Sequence, residues 1–272
     1  MGHFVLGANH WPPMPALHRA FLETTLARLA ADPRLDGLAA GGSFIASNLD
    51  AYSDLDLVVV TLPDAFTEVL QSGPALARRL GPLLAAFTGE HVGEPRLLVC
   101  LYGPPLLHVD FKFVSRDDLD HRVEEPVLLW DREGRVAAAL SIGHAVYPPP
   151  NLQWIEDRFW AWVHYLTVKI ARGELFETLD GLAYIRSHVL GPLILLAAGA
   201  QPNGVRRVET HAPASVSALR STIGAHDRAS CTDAVRASVA LYLDLRERLA
   251  PPTLRRLVEA ERAARAFLDQ QS

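Results

Sequence analysis

Residues 107–113 alternate without a break, with Leu107, Val109, Phe111 and Phe113 apolar and His108, Asp110 and Lys112 polar. A period of two belongs to a strand with one buried face, so the three polar side chains share the other. The stretch Asp54-Leu55-Asp56-Leu57 starts the same way and runs into Val58-Val59-Val60, which predicts a strand over 54–62 apolar enough to be central. Leu35–Ala40 predicts a short strand, as do residues 128–131. Strands over 96–102 and 105–114, joined at Gly103-Pro104, read as a hairpin that brings Asp110 into the sheet of Asp54 and Asp56. Helical spacing appears over 15–31, where Leu17, Phe21, Leu26 and Leu29 form the apolar side and Asp32-Pro33 makes the stop. Residues 43–48 predict a short helix, and residues 64–87 a longer one broken at Gly73-Pro74.

Pro148-Pro149-Pro150 marks a boundary, because three prolines cannot continue a helix and act as a stiff spacer. Everything after it reads as helical. Asn151 is a good N-cap for a helix over 152–172, with Glu156 and Asp157 in its early turns and Gly173 at its end. On a wheel, Phe159, Val163, Leu166 and Ile170 gather on one face of that helix. Arg158, Trp162, Tyr165, Lys169 and Arg172 gather on another, with Lys169 about 20° and Arg172 about 40° from Arg158. Three cations beside two aromatic rings form an anion-facing stripe. Further helices are predicted over 175–200, 215–224, 228–249 and 252–270. The pattern is therefore α+β: a mixed sheet with flanking helices over 1–147, then an all-α bundle over 151–272.

Composition narrows this picture. A chain of 272 residues with 49% hydrophobic and 21% charged residues has the make-up of a soluble globular protein. Its net charge of −5, with no basic run, counts against nucleic acid as a partner. Cys100 and Cys231 match no metal or redox spacing and read as buried, reduced thiols of a cytoplasmic protein. The first ten residues lack the basic and apolar regions of a signal peptide. The apolar run over 189–200 is interrupted by Gly191-Pro192 and is too short to span a bilayer, so it reads as a core helix and no membrane partner is expected.

The candidate chemistry lies between the first two predicted strands. Asp54 and Asp56, one strand repeat apart, point to one face, and two such carboxylates can share a hard divalent cation. The preceding Gly41-Gly42-Ser43 turn suits phosphate, since glycine lets backbone N–H groups come close and serine adds a hydroxyl. Gly42-Ser43, ten residues, then Asp54-Leu55-Asp56, followed by Asp110 on a later strand, resembles the signature of the DNA polymerase β nucleotidyltransferase superfamily. The proline-marked junction and helical second half are similar to bacterial lincosamide and aminoglycoside nucleotidyltransferases. Lys169-Ile-Ala-Arg172-Gly173-Glu174 resembles a run in the helical domain of the lincosamide group.

The resemblance implies Mg²⁺-dependent transfer of a nucleoside monophosphate, from ATP or another nucleoside triphosphate, to a hydroxyl of a small molecule, with release of pyrophosphate. It casts residues 1–147 as the catalytic domain and 151–272 as a substrate- and nucleotide-binding domain. It implies that Asp54 and Asp56 bind metal and that Gly42 and Ser43 hold phosphate. Asp110 either completes the metal site or takes the hydroxyl proton. Lys169 and Arg172, with Arg158 beside them, correspond to cations near the triphosphate. Some of the antibiotic enzymes carry Glu at the third acidic position, and Asp110 is one methylene shorter, which bears on whether it reaches a hydroxyl directly. An antibiotic is the leading acceptor, and a homodimer is compatible with the resemblance. The rival readings are a module that nucleotidylates a protein or tRNA, as in toxin–antitoxin pairs, and a catalytically silent nucleotide-binding protein. Net acidity counts against tRNA, and three clustered carboxylates count against silence.

Overall fold

The computed structural model describes residues 11–271, so the reading of the first ten residues lies outside them. The chain divides after Val146 into two compact units.

The first unit is built on a six-stranded sheet in the order β3-β4-β5-β2-β1-β6. Its strands are β1 Leu35–Ala40, β2 Leu55–Thr61, β3 Leu83–Gly89, β4 Glu94–Tyr102, β5 Leu107–Ser115 and β6 Val127–Asp131. The β2–β5 pair is parallel and every other pair antiparallel. The alternation along β5 is realised as expected: Leu107, Val109, Phe111 and Phe113 are buried. They pack with Leu55 and Leu57 of β2 against Leu22 and Leu29 of α1 (Ala16–Ala30) and Val69 and Leu76 of α2 (Phe66–Leu80). On the other face Val60, Val114, Leu119, Leu128 and Val136 of α3 (Arg135–Leu140) form a smaller apolar cluster. That second face is therefore apolar at one end and carries Asp56 and Asp110 at the other.

Four elements of this unit differ from the sequence expectation. The buried side of α1 is His18, Leu22, Thr25, Leu26 and Leu29, with Leu17 and Phe21 at its margin. His18 turns inward because its Nε2 lies 2.7 Å from the Ser53 carbonyl oxygen, to which it donates. Next, α2 continues through Gly73-Pro74 and ends at Gly81. A proline there removes one helical hydrogen bond, but Gly73 sits against the Phe113 ring, where a Cβ would come within 3.2 Å, and Leu76, Ala77 and Leu80 stay buried on the sheet. Residues 83–87, expected to be helical, belong instead to the edge strand β3. Finally, the short helix expected over 43–48 is only a 3₁₀ turn, Gly42–Phe44.

The second unit is helical: α4 Leu152–Arg172, α5 Leu175–Ile185, α6 Gly191–Ala197, α7 Val208–His211, α8 Val216–Arg220, α9 Arg228–Leu249 and α10 Val258–Asp269. The Asn151 side chain caps α4 by accepting from Trp154 N–H at 2.9 Å, and Gly173 closes it at φ 76°. The expected apolar face of Phe159, Val163, Leu166 and Ile170 is buried. A π-helical turn, Arg186–Leu190, joins α5 to α6. The resulting 23-residue helix, Leu175–Ala197, has the length and apolar composition to cross a membrane, and half of it is buried inside the protein. Gly191 is required within it: a Cβ would fall 2.3 Å from the Gly204 carbonyl oxygen.

Glu156 is not a surface acid at a helix start. It is fully buried and accepts from Tyr242 Oη at 2.6 Å, Leu257 N–H at 3.0 Å, and Trp160 Nε1 and Arg246 at 3.2 Å. Because Leu257 N–H is held there, α10 starts at Val258 and not near residue 252. The helix expected over 215–224 is likewise shorter, ending at Arg220. Cys100 and Cys231 are buried and free.

Candidate functional site

The only parallel strand pair among the described residues brings two of the predicted carboxylates together. Asp56 and Asp110 are direct register partners on β2 and β5, so their side chains leave the same face at the same level. Asp54 precedes β2 and acts electrostatically on Asp110. Its loop is held from below by the hydrogen bond of His18 to Ser53 O.

The glycine turn packs against Asp56. Gly41 N–H donates to Asp56 O at 2.8 Å, which fastens the turn to the start of β2. Gly42 is left-handed at φ 55°, and a Cβ there would lie 1.9 Å from Asp56 Oδ2. No residue with a side chain fits that approach. Ser43 follows, buried.

Burial pushes the Asp110 carboxyl above its ordinary range; His108 Nε2, 2.9 Å from Asp110 Oδ1, pulls it back, and the Asp54 charge pushes it up again. Lys112, on the same face, is instead paired with Glu94 at 2.9 Å. Arg96 also bonds Glu94 and holds that carboxyl down at about 2. Asp110 thus faces a histidine and two acids, not a lysine, and a carboxyl raised in this way is better suited to accept a proton than an ordinary aspartate.

One acidic residue went unnoticed in the sequence. Glu124 stands in the irregular segment before β6, and its Oε1 accepts from Gly42 N–H at 3.1 Å. A Cβ on Gly41 would meet the same oxygen at 2.3 Å, so the Glu124 carboxylate lies over the glycine pair. No periodicity or motif marks it.

No protein-family model matches the sequence, and no curated protein matches it. Fourteen chains of solved structures are similar to this one, among them the following two. One is an aminoglycoside 6-adenyltransferase from Bacillus subtilis, 10% identical, with a TM-score of 0.40, covering 92% of this chain and 96% of that one. The other is a nucleotidyltransferase-like protein from Exiguobacterium sibiricum 255-15, 15% identical, with a TM-score of 0.36, covering 92% of this chain and 87% of that one. Likeness of that degree assigns no residue a role, and the chemistry of the site has to come from its own geometry.

Among the described residues no three His, Cys, Asp or Glu side chains are grouped tightly enough to enclose an ion. A Mg²⁺ ion takes about one or two protein carboxylates and completes its octahedron with water and phosphate oxygens, so two carboxylates on one face are donors of the right kind for it. Asp56 and Asp110 are such a pair, with Asp54 adding charge at their edge.

The predicted cations belong to the second unit and are largely engaged there. Lys169 Nζ lies 2.5 Å from Glu174 and 2.9 Å from Glu177. The hydroxyl of Tyr165 also bonds Glu177. Arg172 is two-thirds exposed and only 3.8 Å from Glu174. Arg158 stacks on Trp154, its guanidinium carbon 4.4 Å from the ring centre. Trp162 lies between Trp154 and Tyr184, with ring centres 5.6 and 5.5 Å away. The stripe seen on the helical wheel therefore exists, but Glu174 and Glu177 balance its central cation.

Proposed function

We infer that this chain is a Mg²⁺-dependent nucleotidyltransferase, which moves a nucleoside monophosphate from ATP, or another nucleoside triphosphate, to a hydroxyl of a small molecule and releases pyrophosphate. An antibiotic or antibiotic-like metabolite is the leading acceptor. The reading rests on one observation above all: Asp56 and Asp110 stand side by side on parallel strands, with a pair of glycines packed against Asp56.

In this reading Asp56 and Asp110, with Asp54, hold the metal. When bound, Mg²⁺ supplies positive charge between these carboxylates and the phosphate oxygens, where charge grows during transfer. The N–H groups and hydroxyl of Gly42 and Ser43 receive phosphate. Asp110 either completes that metal site or, with its carboxyl raised by burial and by Asp54, takes the acceptor's hydroxyl proton, and His108 fixes the orientation of its Oδ1. Lys169 and Arg172, with Arg158, are assigned to the triphosphate, for which Lys169 would exchange Glu174 and Glu177 for phosphate oxygens. The two buried free thiols fit a reducing cytoplasm.

The test is transfer of label from α-labelled ATP, in the presence of Mg²⁺, to lincosamides, aminoglycosides and a cell extract. Label on a small molecule supports the reading, and label on protein or tRNA moves the acceptor to those classes. The variant Asp56→Asn should retain the wild-type melting profile and lose transfer by at least about 100-fold. Transfer at an unchanged rate would remove Asp56 from the site.

A further inference from the structure

We propose that Glu124 is a built-in competitor of the triphosphate at the glycine turn, a carboxylate that occupies the seat of a phosphate oxygen until nucleotide displaces it. The inference rests on the nucleotidyl-transfer reading and adds a residue that no motif predicts. The contact is the hydrogen bond from Gly42 N–H to Glu124 Oε1 at 3.1 Å. A phosphate oxygen bound at this turn would use the same donor, and one N–H cannot serve two anions at full strength. The space over Gly41 that a side chain would fill is taken by Glu124 as well.

Glu124 is held out to the turn by a built loop. Arg122, two residues earlier and only 8% exposed, donates to the carbonyl oxygens of Leu119, Leu140, Ile142 and Gly143 and to the Glu125 carboxylate. Glu125 in turn accepts from Ala145 N–H, and Val146 N–H donates to Arg122 O. The backbone on either side of Glu124 is thus fixed, and the seat is vacated by rotation of one side chain. The charge balance adds a second barrier. Asp56 and Glu124 both bring carboxylates against the glycine pair, so a bare triphosphate is repelled and the metal complex is favoured. Glu124 would keep the phosphate seat filled when no metal–nucleotide complex is at hand.

The test is calorimetric titration of the full-length protein with Mg²⁺–tripolyphosphate and with Mg²⁺–ATP, comparing wild type, Glu124→Ala, Glu124→Gln and Asp56→Asn. Removing a charge-assisted competitor at this donor should tighten binding about tenfold in Glu124→Ala. Glu124→Gln, which keeps an acceptor without the charge, should fall between that variant and wild type. Equal or weaker binding by Glu124→Ala, with wild-type circular dichroism and Asp56-dependent binding intact, overturns the proposal and leaves the nucleotidyl-transfer reading standing. A fall in transfer rate with unchanged affinity also overturns it, by making Glu124 a reacting group. Absence of binding by all four proteins overturns both.

Discussion

The contact between Gly42 and Asp56 can be tested with one methyl group. In Gly42→Ala the new carbon would start 1.9 Å from Asp56 Oδ2, and ordinary contact begins near 3.4 Å, so the carboxylate or the turn must yield by about 1.5 Å. A shift of about 1 Å at a reacting site costs on the order of 100-fold. The positive φ of 55° adds roughly 1–2 kcal/mol of backbone strain. Gly93→Ala separates the two effects. Gly93 is also left-handed, at φ 75°, but nothing lies within 4 Å of its missing Cβ. Both variants should therefore lose the stability that the strained backbone costs, Gly42→Ala the more because of its clash, while only Gly42→Ala loses kcat/KM for nucleotide transfer, by about 100-fold or more. Transfer by Gly42→Ala within about threefold of wild type, or an equal loss in Gly93→Ala, would refute the view that the turn is shaped around Asp56.

Two further outcomes concern stability. Glu156→Ala leaves the Arg246 charge buried and orphans the Tyr242, Trp160 and Leu257 donors, so urea unfolding followed by helical circular dichroism should show a loss of roughly 3–5 kcal/mol; a loss below about 1 kcal/mol would contradict the network. Asp32, 8% exposed and bonded to Arg34, has its carboxyl lowered from 3.8 to about 2. A depressed carboxyl stabilises the fold above its unfolded value and loses that contribution as pH falls through the folded one, so Asp32→Asn should destabilise by roughly 2 kcal/mol at pH 6 and by almost nothing near pH 2.

What could be read from the sequence follows burial. The alternation in β5 and the face of α4 were legible because each element has one buried side, which writes its period into the residues. Residues 83–89 lacked that signal: β3 lies at a sheet edge, with Leu84, Ala85 and Phe87 exposed, and an apolar run without alternation reads equally well as helix. In its first half the α1 face moved by one residue, from Leu17 and Phe21 to His18 and Leu22, because His18 has a polar reason to be inside, its bond to Ser53 O, that no hydrophobic count includes. Within the site, the aspartates followed from strand periodicity and the glycine turn from composition. Glu124 did not, because its place is set by the carbonyl contacts of Arg122 across a loop with no repeat. The pairing of Lys169 with Glu174 and Glu177 was missed for a related reason: the helical wheel stops at Gly173, and the partners lie beyond it.

The parallel pairing of β2 with β5 has a consequence for how the protein matures. Parallel neighbours cannot be joined by a tight turn, and here α2 and the β3–β4 hairpin come between them in the chain. Helices α1 and α2 are local and can form early, whereas the juxtaposition of Asp56 and Asp110 exists only after the distant strand has docked. A newly made chain therefore lacks the Asp56–Asp110 pair until its sheet is assembled, and whatever chemistry depends on that pair waits for that strand to dock.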